Sequence, residues 1–407
     1  MNVIIVGGGA AGCLAAGAAG RQGHTVTVVE RNPRPARKVM ITGKGRCNVT
    51  NNCTIDRFIA NVPENGRFLY SALTAFTPQD MMALLEEQGV PLKTERGDRV
   101  FPVSDKAVDV VDGIVKYAKG GGARFIEGRV TELCIEDGVC NGVRLEDGTV
   151  LAADRVVVAT GGCSYPGTGS TGDGYALARQ AGHTVIDPRP SLVALESPDP
   201  FCPDMQGLSL KNCGLTVKDN EKNKVIYTDL GEMLFTHFGV SGPMVLSASA
   251  HMRQMAAGRY TLWIDWKPGL TPEQLDARIL RDFAERNNSD LANALGKLLP
   301  RALIPVMLRL VQIAPNKKCN AVTREERQRL AAGIKAMPVR IDGFRPLAEA
   351  IVTAGGVSVK EINAKTMESK LVSGLYFAGE VLDVDAYTGG FNLQIAFSTG
   401  MAAGNQE

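Results

Sequence analysis

Apolar and polar positions fall into short blocks over the first thirty residues of the chain. Residues 3–6 are all apolar, glycines dominate positions 7–12, and small residues continue to Gly20. A second, mostly apolar run at residues 25–29 ends at Glu30. Short apolar runs bounded by glycine turns are typical of buried parallel strands, and the small-residue stretch between them predicts a helix. The chain is therefore predicted to open with a strand, a helix and a second strand.

The same apolar opening resembles an export signal at first sight, but its details exclude one. No Lys or Arg precedes the apolar stretch, glycines interrupt it, and no small-residue cleavage site follows it. No later apolar run reaches the about 20 residues that cross a bilayer. We therefore expect a cytoplasmic protein without a membrane partner.

Glycines occupy the turn between the first strand and the helix with a spacing that suits a dinucleotide. Gly7, Gly9 and Gly12 form G-x-G-x-x-G, and Glu30 follows at the end of the second strand. Gly7 permits a tight turn, Gly9 admits a pyrophosphate to the backbone, and Gly12 allows close helix–strand packing. The helix N-terminus offers free N–H groups to phosphate, and Glu30 can accept hydrogen bonds from a ribose hydroxyl. This fingerprint predicts a dinucleotide site, but it does not distinguish NAD from FAD.

Two later stretches distinguish the two dinucleotides. Residues 155–162 form a strand pattern that runs into Thr160-Gly161-Gly162, and residues 374–383 form another that ends in Gly379-Glu380. Both resemble accessory motifs of the large two-domain flavoprotein superfamily, in which the first passes the adenosine and the second meets the ribityl chain and pyrophosphate. FAD accounts for all three motifs, whereas NAD accounts only for the first. We therefore expect FAD.

The rest of the pattern divides the chain into three predicted domains. Helix-start signals recur at Thr77-Pro78 and Thr271-Pro272, the second with Gln274 at the capping-box position. The predicted fold class is α/β: a split, Rossmann-type FAD-binding domain with an inserted strand-rich, barrel-like domain and a helical subdomain. The expected boundaries are 1–190 plus 354–407 for the FAD-binding domain, 191–267 plus 337–353 for the strand-rich domain, and 268–336 for the helical subdomain.

Composition narrows the function classes further. The chain has 407 residues, of which 44% are hydrophobic and 22% charged, with a formal net charge of +2. No long basic run appears, so neither nucleic acid nor an acidic membrane surface is expected as a partner. The nine cysteines form no C-x-x-C pair, which favours reduced thiols over a dithiol redox centre or a zinc site. We expect no metal and a small-molecule substrate, and the oligomeric state is not predicted.

Four stretches match one family of flavoproteins. They are residues 41–51, residues 95–102, residues 231–243 and the run from Thr353 to Gln394. Together they resemble the BaiN-like family of bacterial NAD(P)/FAD-dependent oxidoreductases, and the resemblance extends over essentially the whole chain. It implies non-covalent FAD, the three-part architecture given above, and reduction of a ring double bond in 3-oxo-steroid bile acids by a nicotinamide donor. A more distant resemblance reaches the fumarate reductase flavoproteins, which also reduce an activated C=C bond.

The fingerprint and the resemblance together nominate the residues that contact FAD. Residues 42–48 are expected to form a loop along the isoalloxazine. The helix after Gly389-Gly390 is expected to point its N-terminus at the flavin pyrimidine, where its dipole stabilises the negative charge of reduced flavin. Arg46 and Lys38 are expected at phosphate or ring carbonyls. The full set is Gly7, Gly8, Gly9, Ala10, Ala11, Gly12, Glu30, Arg31, Lys38, Thr42, Gly43, Arg46, Cys47, Asn48, Val130, Thr160, Gly161, Gly162, Gly379, Glu380, Asp383, Gly390, Phe391, Asn392, Leu393 and Gln394.

Four side chains are candidates for catalysis. His237, one of four histidines, lies in a strand-to-turn segment and could donate a proton or polarise a carbonyl, although a structural histidine fits the position as well. Tyr165 and Tyr387 flank flavin motifs as proton donors or stacking groups, and Arg99 could bind a substrate carboxylate. Cys47 has no partner cysteine, so disulfide-reductase chemistry is disfavoured.

The sequence thus predicts an FAD-dependent ene reductase. It would take hydride from NAD(P)H and deliver it to an activated C=C bond of a small, largely apolar substrate. No second G-x-G-x-x-G stands in a strand–helix frame, so the nicotinamide is expected to dock transiently over the flavin. Two alternatives remain open: a flavin oxidase or monooxygenase that uses oxygen, and a flavin-bearing module that binds RNA or protein without turnover.

Overall fold

The computed structural model describes residues 1–406. The strands are β1 (Asn2–Val6), β2 (Thr25–Glu30), β3 (Thr50–Asn51), β4 (Leu92–Glu95), β5 (Arg99–Pro102), β6 (Arg124–Glu127), β7 (Val130–Glu136), β8 (Val139–Leu145), β9 (Val150–Ala152), β10 (Arg155–Val158), β11 (Val185–Ser191), β12 (Leu195–Glu196), β13 (Ser209–Asp219), β14 (Lys224–Thr236), β15 (Gly239–Ser241), β16 (Tyr260–Asp265), β17 (Met337–Ile341), β18 (Gly343–Phe344), β19 (Val352–Val357) and β20 (Leu375–Phe377).

The α-helices follow the same chain order. They are α1 (Ala10–Arg21), α2 (Arg37–Ile41), α3 (Ile55–Ala60), α4 (Tyr70–Ala75), α5 (Pro78–Glu87), α6 (Ala107–Gly120), α7 (Asp173–Gln180), α8 (Phe201–Asp204), α9 (Pro243–Ser249), α10 (Pro272–Glu285), α11 (Leu291–Ala294), α12 (Leu303–Leu310), α13 (Arg324–Lys335) and α14 (Phe391–Gly404). The chain divides into two compact units, which we call unit 1 (residues 1–191 with the chain from 346) and unit 2 (residues 192–345).

Unit 1 is built on a parallel sheet of five strands in the order β20-β10-β1-β2-β6. The central strand β1 is buried over residues 3–6, as its unbroken apolar run predicts. On one side of it lie β10 and β20, which come from distant parts of the chain, and on the other side lie β2 and β6. The predicted strand–helix–strand opening and the Rossmann-type sheet are therefore confirmed.

Smaller antiparallel sheets complete unit 1. Strands β7, β8 and β9 form a meander, β3, β5 and β4 form a second sheet, and β11 pairs with β19. One hydrophobic cluster joins the parallel sheet to the helices around it, with Ile5, Leu14, Ile114 and Phe377 all fully buried. This cluster fixes the positions of the loops that follow the parallel strands.

Unit 2 contains an antiparallel sheet of seven strands in the order β17-β16-β13-β14-β15-β12-β18. Strand β17 alternates strictly: it buries Met337, Val339 and Ile341 and exposes the residues between them. The two ends of this order, β17 and β18, are consecutive strands separated only by Asp342. One stretch of chain therefore pairs with β16 at one end of the order and with β12 at the other, so the sheet returns on itself, as the predicted barrel-like domain requires.

The helices of unit 2 share one core with its sheet. Val217 and Leu262 from the sheet and Ile279 and Leu303 from α10 and α12 belong to the same buried cluster. Residues 268–336, predicted as a separate helical subdomain, therefore lie within unit 2, and residues 346–353 lie in unit 1. The amphipathic face of each helix needs an apolar partner, and the inner face of the sheet supplies it.

The predicted helix starts are confirmed in detail. Thr77 and Thr271 each form a capping box with the residue three positions later, and each is followed by proline in the first turn. Between residues 1 and 406, no helix combines the length and the apolar character that a membrane span requires.

Candidate functional site

The glycine turn after β1 leaves the N-terminus of α1 open. Gly9 is the residue before the helix and supplies no side-chain cap, so the first backbone N–H groups of α1 face outward from the turn. Gly12 sits where β1 and α1 touch, because a Cβ there would lie 1.9 Å from the Gly7 carbonyl oxygen. The predicted roles of these glycines, an open phosphate-binding turn and a tight helix–strand contact, match this geometry.

Glu30 lies across the turn from this helix. Its Oε2 accepts a hydrogen bond from Gly8 N–H at 2.7 Å, and its Oε1 accepts from the backbone and side-chain amides of Asn32 at 2.8 and 2.7 Å. Next to it, Arg31 and Arg129 both bond to Asp173. Val130 directly follows Arg129 at the start of β7, so the residues predicted for the adenosine end of FAD stand together.

A polar network joins the turns after β10 and β20. Lys38 Nζ lies 2.6 Å from both Ser164 Oγ and Glu380 Oε2, and the Thr353 N–H donates to Glu380 Oε1 at 2.9 Å. Burial opposes the ionisation of Glu380, but Lys38 together with hydrogen bonds from Thr353 and Ser164 holds the pKa of that carboxyl below its usual range. Lys38 and Glu380, which sequence reasoning assigned separately to FAD, are thus partners of each other.

Ser164 and Thr353 were missed as site residues. The Thr353 hydroxyl accepts hydrogen bonds from Cys163 N–H and Ser164 N–H, which fixes the turn directly after Gly161-Gly162. Ser164 follows a motif that was recognised, so its position was a usable signal. Nothing local marked Thr353, because the two amides that its hydroxyl binds are about 190 residues away in the chain.

The loop at residues 42–48 has unusual backbone geometry. Gly43, Lys44 and Cys47 have φ values of 57°, 58° and 60°, in the left-handed region that side chains other than glycine rarely adopt. Such strained residues concentrate at functional sites. Burial raises the pKa of the Cys47 thiol to about 12, so the thiol stays protonated and a redox role for it is disfavoured.

Arg46 is engaged by side chains of the protein itself. Its guanidinium pairs with Glu95 at 2.5 Å and Asp105 at 2.6 Å and lies over the Phe101 ring, 4.1 Å from the centroid. These carboxylates hold the pKa of Arg46 above its usual value. The structure therefore gives Arg46 a set of partners within the protein, which the sequence did not predict.

The start of α14 is held against the end of this loop. With the Asn48 amide turned to the orientation that satisfies its neighbours, Gly390 N–H donates to its side-chain oxygen at 3.0 Å, and Asn51 Nδ2 donates to the Gly389 carbonyl oxygen at 3.1 Å. Gly390 has no room for a side chain, since a Cβ would come within 2.3 Å of the Thr50 carbonyl oxygen. Two predicted flavin motifs, one near each end of the chain, thus form one local structure.

Two side chains near the start of α14 that were predicted to contact FAD are hydrogen-bonded within the protein. Gln394 is fully buried and bonds to Thr50, Phe76 and Ser398. Asn392 bonds to both the N–H and the carbonyl of Ala386 and so closes the preceding loop. Both side chains therefore shape the site, and what α14 presents is its backbone: Gly390 provides no side-chain cap to the helix N-terminus.

Helices α1 and α14 lie side by side and run in the same direction. Gly400 contacts Ala11 and Gly404 contacts Ala15, where a Cβ on either glycine would come within 2.3 Å of the facing carbonyl oxygen. Both contacts advance along the two helices together, so both N-termini open toward the same side of unit 1. At a rise of about 1.5 Å per residue, the N-terminus of α14 stands about 12 Å beyond that of α1.

This arrangement fits FAD. One open helix N-terminus suits a pyrophosphate and the second suits an electron-rich ring, and the ribityl chain of FAD spans a gap of this order. The Thr160 hydroxyl, at the head of the Gly161-Gly162 turn, is buried without a hydrogen-bond partner among residues 1–406, as expected next to a bound polar group. The residues that would hold FAD are therefore in place.

Within each unit, the contacts of the four candidate catalytic residues do not bring them together. Tyr165 lies in unit 1 with φ of 51° and 36% of its surface exposed, immediately after Ser164. Tyr387 also lies in unit 1, where its N–H donates to the Asn61 carbonyl oxygen. Arg99 is exposed and bonds to the Arg96 carbonyl oxygen. His237 belongs to unit 2, where its ring contacts Phe238 edge-on at 5.0 Å.

Asp385 is a titratable group that sequence reasoning missed. It is almost fully buried and accepts a hydrogen bond from Ser191 Oγ at 2.6 Å. Burial raises its pKa to about 6, despite the opposing effects of Ser191 and Arg189. Only its place between Glu380 and Gly389 in the sequence could have drawn attention to it. Nearby Asp383, a predicted FAD contact, bonds to Asn65, and burial raises its pKa as well.

No candidate metal site is found in the part of the chain that the structure describes. Among residues 1–406, no group of three or more His, Cys, Asp or Glu side chains is arranged to hold an ion. All nine cysteines are free.

Together, the parallel sheet, the convergent glycine turns and the two open helix N-termini define a class: the FAD-dependent oxidoreductases with a split nucleotide-binding domain. The model of the HI0933-like protein Rossmann domain matches residues 1–406. The chain therefore belongs to the HI0933-like family. The resemblance of its motifs to the BaiN-like oxidoreductases is confirmed, because the family model and a bile-acid reductase both match almost the whole chain.

Two characterised relatives match almost the full length. The ribosomal RNA dihydrouridine synthase of Escherichia coli K12 is 31% identical over 415 residues, covering 98% of this chain and 96% of that protein. The 3-dehydro-bile acid delta(4,6)-reductase of Clostridium scindens is 32% identical over 420 residues, covering 99% and 98%. Among solved structures, the 3-ketosteroid delta1-dehydrogenase of Sterolibacterium denitrificans has a TM-score of 0.52 at 15% identity, covering 99% of this chain and 98% of that one, and shares the fold.

Proposed function

We propose that this protein reduces a carbon–carbon double bond conjugated to a carbonyl group, with hydride from NADH or NADPH passing through FAD. The observation that carries the proposal is the chemistry shared by two relatives of nearly equal identity. Dihydrouridine differs from uridine by saturation of a ring double bond conjugated to a carbonyl, and the bile-acid reductase is named for double bonds of a 3-oxo steroid. One type of hydride transfer serves both substrates.

When bound, FAD supplies the hydride chemistry, and the chain's own groups orient and tune it. The N-terminus of α14 favours negative charge at the ring, and the Lys38–Glu380 pair keeps a cation beside the turn after β20. The carbon next to the carbonyl needs a proton after hydride arrives, and Tyr165, Tyr387 and His237 are the proposed donors. Arg99 is proposed to bind an anionic group of the substrate.

The source of hydride is also part of the proposal. The chain carries two G-x-G-x-x-G strings: Gly7–Gly12 joins β1 directly to α1 and is assigned to FAD, whereas Gly167–Gly172 precedes α7 but is separated from β10 by eight residues and so lacks the tight strand–turn–helix frame. A nicotinamide therefore docks only while it reacts. Anaerobic titration with NADH and with NADPH should bleach the flavin absorbance band, and the nucleotide that bleaches it faster is the donor.

For the substrate, we favour a uridine in RNA over a steroid. The net charge of +2 conceals an uneven distribution, because basic residues outnumber acidic ones in unit 2 and acidic residues outnumber basic ones in unit 1. A basic domain attached to a flavin domain suits a polyanionic substrate. The second candidate, a 3-oxo-steroid or bile-acid-like compound, is supported by the Clostridium scindens relative.

The two substrates can be compared in one experiment. Flavin reduced with the preferred nucleotide is mixed anaerobically with ribosomal RNA, with free uridine, or with a 3-oxo-Δ4 steroid. We expect RNA to reoxidise the flavin and to gain two hydrogens by mass spectrometry. Reoxidation by the steroid alone would select the second candidate. Fast reoxidation by air with peroxide formation, and none by any ene substrate, would contradict the proposal and indicate an oxidase.

A further inference from the structure

The outer face of the unit 2 sheet carries an exposed tryptophan away from any edge. Trp263 lies on β16, between β17 and β13, and 37% of its surface is exposed. Its neighbours in sequence, Leu262 and Ile264, are fully buried in the core, so Trp263 points to the opposite side of the sheet. The other tryptophan of the chain, Trp266, is buried and stacked on Phe235.

Strand register defines the surroundings of Trp263. Thr216 and Pro338 stand directly opposite it, Thr228 stands opposite Thr216, and Leu230 lies opposite Gly214 in the next row. Lys218 lies diagonal to Trp263, at about 7–8 Å for such cross-strand neighbours. We call this surface the Trp263 face: Thr216, Lys218, Thr228, Leu230, Trp263 and Pro338.

Positive charge concentrates at one end of this face. Lys222 lies in the turn of the β13–β14 hairpin, next to Lys218 on this face, whereas Lys224 begins β14 opposite buried Asp219 and so lies on the other side of the sheet. The acidic residues of the hairpin, Asp219 and Glu221, are both paired with Arg259, at 3.1 and 2.7 Å. Across residues 1–406, the ion pairs of the structure leave Lys218 and Lys222 without a carboxylate within 4.0 Å.

We propose that the Trp263 face binds single-stranded RNA, with an unpaired base stacked on Trp263 and phosphates held by Lys218 and Lys222. An aromatic ring on a sheet surface beside cations is a common platform for single-stranded nucleic acid, because every base offers a π-face and every nucleotide a phosphate. The threonine hydroxyls of the face add hydrogen bonds to bases or sugars. This proposal rests on the RNA substrate proposed above and extends it to a second surface that holds the strand.

Intrinsic fluorescence tests the stacking contact on the holoenzyme. A single-stranded oligouridylate should quench the exposed Trp263 and leave buried Trp266 unaffected. The variant Trp263→Ala should bind the oligonucleotide about tenfold more weakly in a filter-binding assay, since stacking of one base contributes a factor of this order. Trp263→Phe keeps a ring and should bind within about threefold of the parent while losing the quench. A duplex of the same length should compete poorly.

Salt dependence tests the phosphate contacts. The double variant Lys218→Ala, Lys222→Ala should lower the slope of log affinity against log salt by about 1.4, since each phosphate contact to a single strand contributes about 0.7. The matched controls are Lys297→Ala, an exposed lysine already paired with Glu285, and Leu280→Ala, an exposed apolar residue on α10. Neither control should change the affinity or the slope.

The outcomes separate this inference from the proposed function. If the tryptophan and lysine variants bind RNA as the parent does, or if the parent binds none, the inference is overturned, whether or not an ene substrate is reduced. If sedimentation shows that Trp263→Ala splits a dimer while RNA binding is unchanged, the face holds a second copy of the chain and the inference is again overturned. If RNA binding follows the prediction but no double bond is reduced, the face stands and the proposed function fails.

Discussion

Units 1 and 2 use different parts of the polypeptide for their chemistry. In unit 1 the groups that converge are mainly backbone: open helix N-termini, glycine turns and glycine contacts between helices. In unit 2 the distinctive groups are side chains on a sheet surface, Trp263 and the lysines of one hairpin. Backbone sites need glycine at fixed spacings, which a sequence displays directly. A side-chain surface becomes visible only after strand register is known.

The largest effect is expected at Gly12, where unit 1 has no space for a side chain. Gly12→Ala puts a Cβ at 1.9 Å from the Gly7 carbonyl oxygen, so β1 and α1 must separate. We expect a loss of roughly 3 kcal/mol in the free energy of unfolding and no bound FAD after purification. Gly296→Ala in unit 2 is the control, because nothing lies within 4 Å of its Cβ. Urea denaturation and the flavin spectrum measure both effects; a yellow, stable Gly12→Ala protein would contradict this view of unit 1.

Loss of the cation beside Glu380 is expected to have the next largest effect. Lys38→Met leaves a partly buried carboxylate without its ion pair, and we expect about 2 kcal/mol of destabilisation together with weaker FAD binding. In unit 2, Lys297→Met removes an exposed partner of Glu285 and should cost less than about 0.5 kcal/mol. The double variant Lys38→Met, Glu380→Gln should recover part of the lost stability. Equal losses of stability from Lys38→Met and Lys297→Met would show that the Lys38–Glu380 pair contributes no more than an exposed ion pair.

Acid should weaken unit 1 through His183. Burial lowers the pKa of His183, whose ring nitrogens contact Glu361 and Ser369, so the folded state keeps the ring neutral. Its contribution to stability is complete above the unfolded pKa of about 6.5 and is lost as pH falls through the lower folded value. Burial opposes the ionisation of Glu361, but hydrogen bonds from Thr184 and His183 hold its pKa below its usual range, so its contribution is also lost in acid.

The free energy of unfolding, measured with urea at pH 7 and at successively lower pH, should therefore decrease toward acid. His183→Gln replaces the ring with an amide that does not titrate, and the decrease should be shallower in this variant. A parent whose stability rises toward acid would contradict the assignment of a neutral, buried His183.

The smallest effect is expected at Arg46, which the sequence assigned to FAD. Because its guanidinium is already paired with Glu95 and Asp105, we expect Arg46→Gln to change the dissociation constant of FAD by less than about threefold. Lys38→Met measured in the same titration is the positive control. A tenfold or larger loss of FAD affinity in Arg46→Gln would restore the role that the sequence suggested.

Much of unit 1 was predictable because its motifs have fixed local spacing. Gly7 to Gly12, the Thr160 turn and the Gly390 helix start are all legible as short strings, and the structure brings them together. The Lys38–Glu380 pair and the Ser191–Asp385 bond were not predictable, because each joins residues far apart in the chain. A lysine or an aspartate carries no local sign of which distant residue it will meet.

The basic character of unit 2 could not be recognised from the sequence, for a different reason. The formal net charge of +2 averages a basic unit and an acidic one, so the absence of a basic run suggested that no nucleic acid was involved. That expectation remains a prediction that the structure does not test. Residues 218–224 look like an ordinary mixed-charge turn until pairing shows that Arg259, far along the chain, neutralises both acids.

The parallel contact between α1 and α14 has a consequence for biosynthesis. A ribosome completes α1 early and α14 only after nearly four hundred residues have been joined. Until then α1 lacks α14, which supplies the second open helix N-terminus. The nascent chain can therefore contact only part of FAD. Yellow colour in a translation extract should therefore appear only after the chain from Gly390 onward has emerged.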